Sequence, residues 1–267
     1  LAAVAVTAAW TAWRALQPQM RPLVRLPVDL GPDAGLLQYP INDIAISPDG
    51  RYLAFVNAGR NRAAAGRGTL DVPNARISVR RLDEDTVFEL AGTERASTLF
   101  FSPDNQWIAF YAGGRLNKIS LTGGAVIPLV DLNSFQGASW IDQTSIIVAG
   151  NIDSSTAEIA LWRVPASGGS NKPTKVAPLS NRSGITQILP GGRHALAVSF
   201  DSARGGPRSA NSDQATVEAV SLADGSRTPI VPGGVSPLYL PSGHLIYLTR
   251  GTLFAVRFDP DTLQTRG

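Results

Sequence analysis

Residues 47–56 read Ser-Pro-Asp-Gly-Arg-Tyr-Leu-Ala-Phe-Val, and this stretch decides the fold. Proline presets φ at the second position of a tight turn, aspartate hydrogen-bonds to nearby backbone, and glycine takes the positive φ that closes a short hairpin loop. The apolar residues that follow are typical of a strand. The stretch therefore predicts a β-hairpin with Gly50 at its positive-φ position.

The same unit returns along the chain. Residues 102–110 read Ser-Pro-Asp-Asn-Gln-Trp-Ile-Ala-Phe, where Asn105, the next best residue for positive φ, replaces the glycine. Three weaker copies follow, and the aligned turn positions are 49, 104, 142, 191 and 242, with spacings of 55, 38, 49 and 51 residues. A period of this length with strand-like content predicts a β-propeller.

Each copy has a second turn farther along, in constant phase with the first. A strand-like stretch runs into each of these turns, near positions 84, 123, 168, 224 and 260. Each period therefore holds four strands and two tight turns, which is one propeller blade. The alternative is a sandwich with irregular hairpins, but a sandwich does not require a repeating sequence. The predicted fold class is all-β, a β-propeller of four-stranded antiparallel blades.

Five blade starts are present, within a predicted propeller domain at 17–267. The predicted blades lie at about 41–91, 96–131, 137–178, 184–231 and 235–267. An alternating stretch at 22–30 precedes them, and propellers often pair such a strand with the last blade because this removes an exposed edge. We expect residues 22–30 to close the ring, with a simple docking strand as the alternative. Residues 262–267 stop where a fourth strand should begin. From five blade starts and an unpaired leading strand, we expect six blades in the complete ring.

The chain begins with 13 apolar, uncharged residues. This stretch is too short to cross a bilayer, which needs about 20 residues. We expect residues 1–16 to be part of a transmembrane or membrane-proximal helix, with tryptophans 10 and 13 at the interface. The alternatives are a signal-peptide remnant and a buried amphipathic helix. Arginines 14, 21 and 25 flank this end, and the positive-inside rule favours the cytoplasm for such residues.

Composition excludes several function classes. The chain has no cysteine, which removes disulfide frameworks and cysteine-based metal sites. The net charge is only +3, and no basic stripe is interleaved with aromatic residues, so nucleic-acid binding is not expected. A hydrophobic content of 43% is enough for a large core.

Two long loops are the predicted binding elements. A meander of four strands puts its first and third turns at one end of a blade and its other connections at the opposite end. The two turns of a blade are 19 residues apart in blade 2 but 35 in blade 1 and 33 in blade 4. The excess lies in residues 59–74 and 201–214, and long loops on a rigid scaffold concentrate binding residues. The candidate binding residues are Arg60, Arg62, Arg67, Arg204 and Arg208. If the loops meet over the ring, these arginines could hold an anion or an acidic partner; the alternative is two solvated glycine-rich loops.

No catalytic, metal or cofactor site is predicted. The two histidines, His194 and His244, follow tight turns and lack a carboxylate pattern beside them. There is no G-x-S-x-G elbow, phosphate loop, dinucleotide fingerprint or kinase signature. Trp107, Trp140 and Trp162 fall in predicted strands, so we expect them to pack between blades.

The repeats at 47–55 and 102–110 resemble the WD-like propeller repeats of the TolB type. Residues 161–169, Leu-Trp-Arg-Val-Pro-Ala-Ser-Gly-Gly, and residues 251–259, Gly-Thr-Leu-Phe-Ala-Val-Arg-Phe-Asp, strengthen the resemblance. The whole order, with its apolar start and short linker, is similar to the C-terminal sensor region of bacterial membrane-bound serine/threonine protein kinases. In that family a cytoplasmic kinase domain precedes one transmembrane helix and an outer propeller.

The resemblance implies a non-catalytic sensor propeller that binds a protein or a small ligand. It implies an extracytoplasmic, periplasmic location at the cell membrane, with membrane contact through residues 1–13. Similar propellers also stand beside prolyl-oligopeptidase-type serine peptidases and form TolB itself. A gating propeller of a peptidase and a TolB-like periplasmic scaffold therefore remain as alternatives.

Overall fold

The structure is a computed structural model that describes residues 43–58, 74–84, 86–169, 172–179, 183–200 and 215–266. Within these residues the chain forms twenty strands in five antiparallel sheets of four. Across these ranges there is no helix with the length and apolar character needed to span a bilayer. The helix expected at 1–16 and the closing strand expected at 22–30 lie outside the described residues.

The sheets are the blades, numbered in chain order. Blade 1 comprises β1 (Ile44–Ile46), β2 (Tyr52–Asn57), β3 (Arg76–Arg81) and β4 (Val87–Glu89). Blade 2 comprises β5 (Ala96–Phe101), β6 (Trp107–Ala112), β7 (Arg115–Ser120) and β8 (Ile127–Asp131). Blade 3 comprises β9 (Ser134–Trp140), β10 (Ser145–Asn151), β11 (Ala160–Pro165) and β12 (Thr174–Pro178). Blade 4 comprises β13 (Ser183–Ile188), β14 (His194–Phe200), β15 (Ala215–Ser221) and β16 (Arg227–Pro232). Blade 5 comprises β17 (Val235–Leu240), β18 (His244–Thr249), β19 (Thr252–Asp259) and β20 (Gln264–Arg266).

Every sheet is a simple meander, because its strands are hydrogen-bonded in chain order. The first strands of successive blades contact one another, from β1 through β5, β9 and β13 to β17. They therefore lie at the centre of the propeller, and we name these five strands the inner ring. The predicted all-β propeller of four-stranded antiparallel blades is confirmed.

Two expectations about blade number have different outcomes. The described residues hold five blades, so a sixth blade stays a prediction. Blade 5 does have a fourth strand, because β20 pairs with β19 and places Thr265 opposite Phe258. The expectation that residues 262–267 stop before this strand was wrong. Asp259 explains the error. Its carboxylate accepts hydrogen bonds from the Asp261 and Thr262 amides, and these bonds close the hairpin within a few residues.

The core lies between blades. Alternate residues of each second strand point to the blade before and the blade after. In blade 1, Ala54 and Val56 join a buried cluster with Ile108 and Phe110 of blade 2. Similar clusters join blades 2 and 3, blades 3 and 4, and blades 4 and 5. We name the side of a sheet that is turned to the following blade its forward face, and the other side its back face.

The repeated turn has the same hydrogen bonds in both strong copies. The Ser47 hydroxyl accepts from the Tyr52 amide at 2.9 Å and donates to the Asp49 carboxylate at 2.6 Å. In the second copy the Ser102 hydroxyl accepts from the Trp107 amide at 3.0 Å and donates to Asp104. In each copy the serine hydroxyl therefore ties the start of the turn to the strand that follows. Gly50 and Asn105 take the predicted positive φ, +72° and +61°.

Candidate functional site

A cavity of about 510 Å³ opens at the end of the blades that carries the tight turns. Three inner strands supply its wall at the point where each strand ends: Trp140 from β9, Ile188 from β13 and Tyr239 from β17. The turns that follow supply the rim, including Pro190 and Pro241. The cavity therefore belongs to blades 3, 4 and 5, and its size is within the range of small-ligand sites, about 300–1,000 Å³.

Side chains of one blade hold the inner strand of the next. Each inner strand is paired with another strand of its sheet along one edge only. The amides and carbonyls of its free edge therefore need other partners. The Gln187 side chain pairs with both backbone groups of Tyr239: its Oε1 accepts from the Tyr239 amide at 2.8 Å, and its Nε2 donates to the Tyr239 carbonyl at 3.2 Å. The side-chain amide of Gln187 thus makes the two hydrogen bonds that a neighbouring strand would make.

Two further bonds of this kind surround the cavity. The Ser139 hydroxyl accepts from the Ile188 amide at 3.1 Å, which joins blade 3 to blade 4. The Thr186 hydroxyl donates to the Pro237 carbonyl at 3.1 Å, which joins blade 4 to blade 5. The cavity wall is therefore fixed by bonds between blades before any ligand enters, and such preorganisation lowers the cost of binding.

Trp140 and Tyr239 are the aromatic surfaces of the cavity. Trp140 is 92% buried, because it also packs in the core between blades 2 and 3. Its indole nitrogen has no hydrogen-bond partner among the described residues. The Tyr239 ring meets the Phe258 ring edge to face, with centroids 6.1 Å apart. Both aromatic side chains are therefore held by the core and offer rigid contact area.

Among the described residues that line the cavity, the Tyr239 phenol is the only ionisable group. At the rim, Arg193 follows the lining residue Gly192 and forms an exposed ion pair with Asp261. An uncharged wall of aromatic, aliphatic, proline and amide groups suits an uncharged ligand or segment, since a buried charge would find no partner there.

The predicted arginine site falls on two segments outside the described residues. Arg60, Arg62, Arg67, Arg204 and Arg208 all lie outside the described residues. The strands that flank these segments, β2 with β3 and β14 with β15, meet the segments at the end of the blades opposite the tight turns. Blades 2 and 3 stand between the two flanking blades. An anion site made by these arginines stays a prediction, at the end of the propeller opposite the cavity.

The histidines and tryptophans noted in the sequence lie in strands of the blades. His194 and His244 are the first residues of β14 and β18, and His244 Nδ1 lies 3.1 Å from the Ser242 hydroxyl. Among the described residues no group of three His, Cys, Asp or Glu could hold a metal ion. Trp107, Trp140 and Trp162 all pack in the core between blades 2 and 3, as expected.

Two buried acidic groups were not anticipated from the sequence. Glu218 is 95% buried and lies 3.1 Å from Arg227, while the Ser183 and Ser199 hydroxyls donate to its two oxygens at 3.0 and 3.2 Å. This network includes one residue from each strand of blade 4. Its complete pairing is that of a structural element.

Asp43 is the second buried acid. It precedes β1, is 93% buried, and has no hydrogen-bond partner for either carboxylate oxygen among the described residues. Burial raises the pKa of Asp43 to about 8, because the charged form loses its hydration. Its carboxyl group is therefore protonated in the folded protein at neutral pH.

The cavity was not predicted from the sequence, because long loops are the usual place for binding residues and the tight turns are short and uniform. A usable signal was present at the last positions of the inner strands, where Trp140 and Tyr239 directly precede or adjoin the turn. Large aromatic residues at the mouth of a ring are frequent parts of binding surfaces.

Comparison with known proteins shows similarity of fold. No family model matches the chain, and no curated protein matches it. The crystal structure of TolB from Acinetobacter baumannii aligns with a TM-score of 0.59 at 16% identity, over 82% of this chain and 52% of that chain. This chain thus spans about half the length of that protein.

Two other solved structures extend the comparison. A TolB structure from Agrobacterium tumefaciens aligns with a TM-score of 0.54 at 17% identity, over 84% of this chain and 79% of that chain. The β-propeller domain of the Trilobed protease from Pyrococcus furiosus aligns with a TM-score of 0.50 at 14% identity, over 81% of this chain and 67% of that chain. Because one propeller fold carries many functions, these likenesses assign the scaffold and leave function to the site. The protein is a β-propeller whose structural neighbours include TolB-type propellers.

Proposed function

We propose that this chain is a non-catalytic binding propeller and that its ligand site is the cavity at the tight-turn end. The observation that supports this most strongly is the uncharged cavity of about 510 Å³ with Trp140 and Tyr239 in its wall. The side-chain bonds from Gln187 and Ser139 hold that wall in place. The ligand is an uncharged small molecule or an uncharged segment of a partner protein.

The proposed context is the extracytoplasmic sensor part of a bacterial membrane-bound serine/threonine protein kinase. The support is the sequence resemblance: an apolar start, a short linker, and then the repeats at 47–55 and 102–110. In this context ligand binding by the propeller would be the signal, and the kinase would be the output.

One structural comparison supports a second context, that of a peptidase. The similarity to a protease propeller favours, at the level of fold, a propeller that gates a serine peptidase. A TolB-like periplasmic scaffold is the third. Sequencing the gene on both sides separates them: kinase motifs upstream support the sensor, and a G-x-S-x-G motif downstream contradicts it.

Binding at the cavity is tested with a matched pair of variants. Pro190 and Pro48 occupy the second position of equivalent tight turns and are both exposed, but only Pro190 lines the cavity. Pro190→Trp adds bulk at the rim, and Pro48→Trp makes the same change in blade 1. Uncharged metabolites, oligosaccharides and short uncharged peptides are screened by thermal shift and native mass spectrometry.

A cavity ligand binds the unmodified protein and Pro48→Trp but loses at least about tenfold in affinity, about 1.4 kcal/mol, for Pro190→Trp, because the added indole ring narrows the cavity. A ligand whose binding ignores Pro190→Trp and disappears when Arg60, Arg62, Arg204 and Arg208 are replaced would move the site to the long loops.

A further inference from the structure

The cavity wall has few polar side chains left for a ligand. Among the described residues that line the cavity, Trp140, Gln187 and Tyr239 carry the polar side-chain atoms. Both ends of the Gln187 amide already bond to the Tyr239 backbone, at 2.8 and 3.2 Å. The Trp140 indole N–H and the Tyr239 hydroxyl therefore remain for a ligand, and both groups can donate a hydrogen bond.

Trp140 indicates that an acceptor is missing from the wall. Its side chain is 92% buried, and its indole nitrogen has no hydrogen-bond partner among the described residues. By contrast, the Trp162 indole of the same blade donates to the Gly150 carbonyl at 3.1 Å. A buried donor without an acceptor is costly. A carbonyl oxygen that a ligand brings to the cavity would supply the acceptor that Trp140 lacks.

The charges around the cavity balance one another. The described wall residues are uncharged, and at the rim Arg193 forms an ion pair with Asp261. A charged ligand would lose hydration in the cavity without gaining a partner of opposite charge. The complementary ligand is therefore uncharged and supplies hydrogen-bond acceptors more than donors.

An extended protein segment rich in proline has this chemistry. Each proline contributes a carbonyl acceptor and no backbone N–H, so the segment needs no acceptor from the wall. An oligosaccharide differs, because each of its hydroxyl groups needs a partner for its own proton as well. The wall has too few free polar side chains to provide these partners.

The surfaces of the cavity also suit proline rings. Trp140 and Tyr239 lie in the wall, and Pro190 and Pro241 are exposed at the rim. Next to Pro190 the rim is open, because a Cβ at Gly191 would meet only Arg193 Nε, at 3.9 Å. Aromatic-lined grooves bind proline-rich segments as polyproline II helices, which are preformed and lose little entropy on binding.

We propose that the ligand of this cavity is an uncharged, proline-rich segment of a partner protein, bound as a polyproline II helix. This inference rests on the proposed function, which places the ligand site in the cavity. Proline rings of the segment pack on Trp140 and Tyr239. Its carbonyl oxygens accept hydrogen bonds from the indole N–H and the phenol hydroxyl.

The test compares two uncharged peptides of equal length on the complete chain. One is an acetylated and amidated peptide of about eight prolines, which forms a polyproline II helix, and the other is a Gly-Ser peptide with the same end groups, which is flexible. Isothermal titration calorimetry measures the affinity of each peptide for the unmodified protein, Pro190→Trp and Pro48→Trp. Proton–nitrogen NMR spectra of the indole groups follow Trp140 and Trp162 as peptide is added.

The proline peptide should bind at least about tenfold more tightly than the Gly-Ser peptide, because its conformation is fixed before binding. Pro190→Trp should weaken this binding at least about tenfold, and Pro48→Trp should leave it unchanged. The Trp140 indole proton should move downfield as it gains an acceptor. The Trp162 indole proton, which already has one, should stay in place.

A pair of tyrosine variants tests the phenol hydroxyl. Tyr239→Phe should weaken binding of the proline peptide about three- to tenfold, because one hydrogen bond is lost while the ring remains. Tyr247→Phe makes the same change in a half-buried tyrosine outside the cavity lining and should leave the affinity unchanged.

Three outcomes overturn the inference, and they differ in what they mean for the proposed function. If another uncharged ligand binds and Pro190→Trp weakens it, while the proline peptide does not bind, the cavity is the site but its ligand is of another class. If the proline peptide binds Pro190→Trp as well as the unmodified protein and leaves the Trp140 signal in place, it binds elsewhere. If no uncharged ligand depends on Pro190, the inference and the proposed function both fail.

Discussion

The tight turns and the inner ring meet at one end of this propeller, but they depend on contacts of different range. In the first turn, Ser47, Asp49 and Tyr52 bond within six residues of sequence. In the inner ring, Gln187 bonds to Tyr239 across 52 residues and Ser139 bonds to Ile188 across 49. The turns repeat because most of their hydrogen bonds are local, although the Asp49 amide also donates to Asn105 Oδ1 of the next turn at 3.1 Å. The ring, by contrast, is completed only when blades assemble. The cavity belongs to the ring.

The first prediction compares two glycines that have nearly the same φ. Gly137 in β9 has φ +115°, and Gly124 in a turn has φ +116°. A Cβ at Gly137 would lie 2.1 Å from the Ile185 carbonyl oxygen of the next inner strand, whereas one at Gly124 would meet nothing within 4 Å. Gly137→Ala should lower the free energy of unfolding by about 4 kcal/mol, from strain plus overpacking, and Gly124→Ala by about 1 kcal/mol.

Urea unfolding of both variants measures this difference. Equal losses in the two variants would mean that β9 and β13 do not approach each other as closely as the structure has them.

The second prediction concerns Asp43, beside the first strand of the inner ring. Because burial raises its pKa to about 8, the folded protein holds a proton that the unfolded chain releases near pH 4, so stability is lost as pH rises from about 4 to 8. Asp43→Asn keeps the shape without the charge. It should change stability by less than about 1 kcal/mol at pH 4 and raise it by about 5 kcal/mol at pH 9, because each unit of the shift in pKa from 3.8 to about 8 corresponds to about 1.4 kcal/mol.

Urea unfolding from pH 4 to pH 9 measures the effect of Asp43→Asn on stability, with Asp153→Asn as the control. Asp153 is exposed, and its bonds with Ser155 lower the pKa of its carboxyl group, so its replacement should add no pH dependence above pH 6. A flat difference between the Asp43→Asn variant and the unmodified protein would show that the folded protein stabilises the Asp43 carboxylate.

A smaller effect is expected from the bridge between blades 4 and 5. Gln187→Leu removes both bonds to the Tyr239 backbone and leaves a half-buried amide and carbonyl unpaired. The loss should be about 2 kcal/mol in the free energy of unfolding. Gln187→Glu retains an acceptor for the amide and should lose less, and thermal unfolding of the pair checks the order. If Gln187→Leu is as stable as the unmodified protein, the bridge does not hold the cavity wall.

The smallest expected effect belongs to the turn. Gly50 has φ +72° with open space around it, so Gly50→Val should cost about 1–2 kcal/mol through backbone strain alone. Asn105→Gly, at the equivalent position of blade 2, keeps the positive φ but removes the bond that Asn105 Oδ1 accepts from the Asp49 amide at 3.1 Å, so it should cost only about 0.5–1 kcal/mol. Unchanged thermal stability of Gly50→Val would count against the turn geometry.

The difference in range between the contacts of the turns and those of the inner ring explains how much of the structure the sequence could predict. The turns at 47–51 and 102–106 carry their own signals, so the blades, their order and the positive φ of Gly50 and Asn105 followed from sequence. The fourth strand of blade 5 was missed because Gln264–Arg266 is short and polar and lacks an apolar pattern.

The cavity and its supports were not predictable in this way. Gln187 is an ordinary polar residue in a strand, and only the position of blade 5 beside it turns its amide into a partner for Tyr239. Leu253 and Leu161 likewise have the same pattern in sequence, although one is exposed and the other buried. Burial at a blade interface depends on the neighbouring blade, which local sequence does not specify.

Amide hydrogen exchange at Tyr239 tests the central claim, that side chains of one blade complete the inner strand of the next and so frame the cavity. The amides of Tyr239 and Ile188 should be protected in the unmodified protein, and Gln187→Leu should release Tyr239 while Ile188 stays protected by Ser139. A Tyr239 amide that exchanges in the unmodified protein as fast as one in an open turn would contradict the claim.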